Sequence, residues 1–89
     1  MKIIKIGAIW CPGCLVMKKV WKNIENDYND IEIIDLDYDI DTDRIKEYNI
    51  GNILPVVIFL DKDSQEIARL IGEQKENKLR ETIDKYKVM

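Results

Sequence analysis

The sequence predicts an α/β fold: a three-layer α/β/α sandwich on a four-stranded mixed sheet, in the order β-α-β-α-β-β-α. Three observations carry that expectation. Short runs rich in isoleucine and valine recur along the chain, between stretches with helical spacing. The first two runs are separated by a helix-length segment, which makes their strands parallel. The last two are separated only by "KDS", a hairpin turn. Helices on both faces then complete the layers.

The elements follow in order. "KIIKIGAI", residues 2–9, is short and isoleucine-rich and reads as a buried strand. Residues 12–27 read as one helix. Met17, Val20, Trp21, Ile24 and Tyr28 recur at three- and four-residue steps and make an apolar face. Pro12 suits the first helical turn, where no backbone N–H is needed. "IEIIDLDYD", residues 31–39, is the second strand. Asp41 or Thr42 can cap a short helix over 42–48. "PVVIFLD", residues 55–61, and "QEIARLIG", residues 65–72, form the hairpin. A last helix begins near residue 74 in "EQKENKLRETIDKYKV", with Leu79, Ile83 and Tyr86 inward.

The chain has 89 residues, 46% of them apolar and 35% charged. That suits a single domain, residues 1–89, with one core and a solvated surface. The net charge is −3 and the pI about 4.9, which argues against nucleic acid as a partner. No segment approaches the roughly 20 apolar residues of a membrane span. The first residues lead into Cys11 without a small-residue cleavage site, so a cytoplasmic location is expected. There is no histidine. Acid–base chemistry therefore falls to carboxylates, lysines, thiols or water.

Both cysteines stand in "WCPGC", residues 10–14, where the first strand hands over to the first helix. Such a short loop does little to staple a fold. A helix start presents free N–H groups and a partial positive charge, which stabilises a thiolate at Cys11. Cys14, one turn further in, is expected to be the less exposed sulfur and close enough to bond to Cys11. The spacing thus points to thiol–disulfide exchange, with Cys11 attacking and Cys14 resolving. A structural zinc would want four ligands, so a metal site would require a dimer or carboxylates; no metal is expected. A redox-sensing or docking module with little turnover is the alternative from another class. The aspartates at 35, 37, 39, 41 and 43 read as a solvated strand end and helix cap. They lack the glycine turn of a calcium loop.

Trp10-Cys11-Pro12-Gly13-Cys14 after a strand, Pro55 opening a later strand, and Gly72 closing the hairpin resemble the thioredoxin family over nearly the whole chain. The resemblance implies a disulfide oxidoreductase acting on protein disulfides, without a bound cofactor. It implies a thioredoxin-reductase-like flavoprotein as partner, and a monomer. It implies a cis Leu54–Pro55 bond beside the cysteines. It also implies a substrate groove of Leu54, Pro55 and Gly72, with Trp10 at its rim and Pro12 and Gly13 between the cysteines. Backbone pairing with the bound chain would dominate recognition there.

Several features depart from that family. Pro-Gly replaces the commoner Gly-Pro. The chain opens on the strand before the cysteines, a minimal outline closer to glutaredoxin. A glutathione-linked role is the alternative this suggests. However, Ile53-Leu54 before Pro55 and Glu73 after Gly72 differ from the Thr-Val and Gly-Gly that glutaredoxins use for glutathione. Lys5 stands where thioredoxins carry a buried aspartate that helps move the proton of the inner cysteine. A charged Lys5 would favour the Cys14 thiolate, and a desolvated one could exchange protons. Alternatively, Lys5 snorkels its amine to water.

Overall fold

The computed structural model describes residues 1–87. Its elements are β1 (Lys2–Gly7), α1 (Pro12–Val16), α2 (Lys18–Asp27) and β2 (Glu32–Asp37). They continue with α3 (Thr42–Lys46), β3 (Val56–Leu60), β4 (Glu66–Ile71) and α4 (Glu76–Tyr86). The sheet runs in the order β2-β1-β3-β4. β1 and β2 are parallel, and the other two pairings are antiparallel. The four-stranded mixed sheet and its layers match the expected fold. Val88, at the end of the segment read as the last helix, lies outside the described residues.

The core follows from strand alternation. Ile3 on β1 and Val57 and Phe59 on β3 face Met17, Trp21, Ile24, Leu79 and Ile83. Ile4, Ile6, Val56, Ile58 and Leu60 face the other way, against Leu36 and Ile45. Successive residues of a strand point to opposite faces, so α2 and α4 cover one side and α3 the other. β3 is central and covered twice, and all five of its residues are buried. Its unbroken apolar run is what such a position demands. Polar clips join the helices on the first face. Arg80 of α4 pairs with Asp27 of α2 at 2.7 Å, held also by Glu76 of its own helix at 2.9 Å, and Tyr28 donates to Asp84 at 2.8 Å.

Three expectations need correction. The helix read over 12–27 is two helices, with Met17 closing α1 and preceding α2. Met17 is drawn into the core, 1% exposed, and the helical ladder breaks there. The first strand ends at Gly7 rather than at Ile9, because Ile9 is 84% exposed and belongs to the loop before the cysteines. The aspartates also act differently from a single cap. Asp41 precedes α3 but makes no capping bond. Its carboxylate accepts the Asp37 N–H at 2.7 Å, and Asp37 accepts the N–H groups of Asp39 and Ile40. These bonds tie the turn after β2, as short acidic side chains do in loops.

Candidate active site

Cys11 occupies the N-cap of α1 in an extended conformation (φ −86°, ψ 112°), with Pro12 at the helix start. Its N–H donates to Ala8 O at 3.2 Å, which closes the turn out of β1. Its Sγ accepts the backbone N–H of Cys14 at 3.2 Å. The sulfur thus takes one of the donors that a helix start leaves free. Both cysteines are free thiols.

Exposure reverses the expected order. Cys11 is only 2% exposed, whereas Cys14 is partly exposed. The N-cap geometry folds the Cys11 side chain back over the first turn of α1. Cys14 instead faces an open cavity of about 530 Å³ between α1, α2, β1 and β2. Burial and the hydrogen bond with Cys11 push the Cys14 thiol up to about 11. Below pH 9 the thiol keeps its proton folded or unfolded. Between about 9 and 11 the unfolded chain releases it first, so folding stability falls as pH rises. Urea unfolding of the reduced protein should fall more steeply across that window than unfolding of Cys14→Ser. Equal slopes would refute the assignment.

Two glycines make room for the pair. A Cβ at Gly7, the last residue of β1, would lie 2.9 Å from Cys14 Sγ. A Cβ at Gly13 would lie 3.2 Å from Pro55 Cδ and 3.5 Å from the Glu73 carboxylate. Pro55 therefore packs directly on the loop between the cysteines. The Leu54–Pro55 peptide bond is cis. Gly72, at φ +90°, donates its N–H to Pro55 O at 2.8 Å. That backbone region favours glycine. Pro12, Gly13, Pro55 and Gly72 are thus brought together around the cysteines. Leu54 is different, because its side chain packs against the α3-side core.

Trp10 is 59% exposed. Its Nε1 donates to Asp39 Oδ2 at 2.7 Å, and its ring meets Tyr38 edge-on at 6.2 Å. The acidic turn after β2 therefore sets the orientation of the indole beside Cys11. Lys5 is partly exposed and does not stand alone. Its ammonium lies 3.0 Å from Asp35, 3.8 Å from Glu25 and 4.9 Å from the centre of the Trp21 ring. Both carboxylates sit on the rim of the same cavity as Cys14.

Sequence reasoning missed Gly7 and Glu25, and read Asp35 and Asp39 only as a solvated strand end. For Gly7 a signal existed, since a glycine in a strand often marks close approach of another group. For the acidic residues no local pattern pointed to their partners.

A family model described as thioredoxin matches residues 1–85. The chain is similar to the thioredoxins of Staphylococcus epidermidis and Staphylococcus aureus. Each is 26% identical over 87 residues, spanning 97% of this chain and 82% of the relative. Among solved structures it is similar to mitochondrial thioredoxin 3 of Saccharomyces cerevisiae in its oxidised form. The TM-score is 0.83 at 26% identity, over 94% of this chain and 76% of that one. Thioredoxin of Fasciola hepatica gives 0.86 at 26% identity, over 96% and 79%.

Proposed function

The chain belongs to the thioredoxin family and is a thiol–disulfide oxidoreductase; on that premise we propose that it reduces protein disulfides with Cys11 as nucleophile and Cys14 as resolving thiol. The observation that carries the division of labour is the N–H bond from Cys14 to Cys11 Sγ at the helix start. Such a bond strengthens when the acceptor is charged. Cys14, pushed up to about 11, keeps its proton until it is needed.

The steps balance in sulfur, electrons and protons. The Cys11 thiolate attacks one sulfur of the substrate disulfide. A Cys11–substrate bond forms, and the first substrate thiolate leaves and takes up a proton. Cys14 then loses its proton and attacks Cys11 Sγ. The mixed disulfide breaks, the second thiolate leaves, and the enzyme carries a Cys11–Cys14 disulfide. Two electrons have passed to the substrate. A flavoprotein of the thioredoxin-reductase type returns them, and the thiols themselves carry the electrons between partners.

The groove is the surface beside Pro55 and Gly72, with Gly13 and Pro12 at its floor and Trp10 on its rim. The backbone at Leu54 and Pro55 would pair with the substrate chain as an added strand. Exposed Ile53 and Ile71 add apolar contact area to it. Among the described residues no helix is long and apolar enough to cross a membrane. A cytoplasmic location and a monomeric state belong to this reading.

Insulin reduction with a thioredoxin reductase as electron source tests this reading. Cys11→Ser and Cys14→Ser should each lose turnover. Only Cys14→Ser should accumulate mixed disulfides, through Cys11. Mixed disulfides on Cys11→Ser instead would reverse the roles, and wild-type protein without turnover would sink the enzyme reading.

A further inference from the structure

We propose that the Lys5 ammonium is the counter-ion of the Cys14 thiolate in the resolving step, and that Asp35 and Glu25 restrain it from that task. This rests on the assignment of Cys14 as the resolving sulfur and adds what governs its ionisation.

Ile3, Lys5 and Gly7 lie on one face of β1 because side chains alternate along a strand. Cys14 Sγ rests on that face at Gly7, where a Cβ would come within 2.9 Å. The next side chain along the same face is Lys5, whose Cα stands two residues of strand rise, roughly 7 Å, from that of Gly7. Lys5 and Cys14 line one cavity.

Lys5 side-chain exposure is 17%, against 75% for Asp35 and 49% for Glu25. Asp35 is the register partner of Lys5 across the parallel β1–β2 pair, so its carboxylate is fixed beside the lysine. Ion pairs to such exposed carboxylates are weak restraints. A lysine on a flexible four-carbon stem can leave them when a stronger anion appears nearby. A thiolate formed at Cys14, where burial disfavours the charge, is such an anion. Cys11, at the N-cap of α1, touches Cys14, and the other titratable groups lining the cavity are Lys18 and Lys22 from α2 and Asp37 from β2. Lys18 and Lys22 are exposed, so their charges are more strongly screened than that of Lys5. When Cys14 ionises, its proton passes to water in the cavity. Its sulfur then bonds to Cys11 as the substrate thiolate leaves.

The two halves of the ion pair therefore act in opposite directions on one step. An aromatic chromogenic disulfide separates the steps. Its first thiolate is released by Cys11 and its second by Cys14, and the second phase is followed against pH. Lys5→Met should move the midpoint of that phase alkaline by roughly one pH unit, slowing it about tenfold near neutrality. Lys5→Arg should stay close to wild type. Asp35→Asn and Glu25→Gln should move the midpoint in the acid direction and speed the phase. A purely structural role would slow all the variants together. Shifts of the same sign for Lys5→Met and Asp35→Asn, or no shift in either, would overturn the proposal. A wild-type second release that survives Cys14→Ser would instead overturn the role assignment beneath it.

Discussion

Gly7→Val is expected to cut disulfide-reducing turnover by about tenfold or more, with the loss confined to the resolving step. The reason is space. A Cβ at Gly7 would lie 2.9 Å from Cys14 Sγ and 3.5 Å from Cys14 Cβ. Valine adds two methyl groups beyond that atom, so something must move. β1 cannot retreat, because it is paired on both sides. In addition, Tyr38 donates its N–H to Gly7 O at 2.8 Å. α1 is the softer partner, with five residues and none of them buried. The shift therefore falls on Cys14, which turns away from Cys11. Overpacking of this kind typically costs about 1–3 kcal/mol, which a domain of this size tolerates. Attack by Cys11 needs no room at Gly7 and should proceed. The two-phase thiol release should then show a normal first phase and a slowed second. A Gly7→Val protein that resolves at the wild-type rate would show that Cys14 does not work from its place on β1.

Much of the architecture was legible because the apolar spacing is regular. The isoleucine runs at β1 and β2, the doubly covered "VVIFL" of β3, and the three-residue turn before β4 each carry one local signal. The cysteine pair and Pro55 were legible for the same reason, as short motifs tied to element boundaries. Features set by distant partners were not. Ile9 looks like strand, yet it lies in a loop that the cysteine turn pulls away from the sheet. Nothing near Trp10 announces a bond to Asp39, 29 residues on. Lys5 was visibly out of place, but its carboxylate partners come from α2 and β2. The burial order of the cysteines also depends on tertiary placement, since it is set by which side of α1 faces the cavity. The break at Met17 was the hardest to foresee. "LVMKKV" holds neither glycine nor proline, and its apolar stripe continues through the break.

That break is also where the active-site turn is anchored, so Met17→Ala should have the largest effect on stability of any change near the site. α1 buries none of its own residues. Met17, at its C-cap, is 1% exposed and packs in the cluster of Ile3, Trp21, Ile24 and Phe59. Its Sδ also takes the N–H of Gln74 at 3.5 Å, from the segment that leads into α4. One side chain thus joins the cysteine turn, the core and the approach to α4. Truncating a buried methionine to alanine costs about 2–5 kcal/mol, by lost transfer energy and by the cavity left behind. Against a total stability of about 5–15 kcal/mol, that is a large fraction. The urea midpoint of Met17→Ala should fall accordingly, while Met17→Leu should lose less than about 1.5 kcal/mol because volume is kept. The thiol chemistry should respond as well. With Met17 gone, a five-residue helix has little to hold its start against β1, and Cys14 should become more reactive toward an alkylating reagent. If Met17→Ala unfolds at the wild-type urea concentration with Cys14 no more reactive, then the turn is held from its other end, by the packing of Gly13 on Pro55.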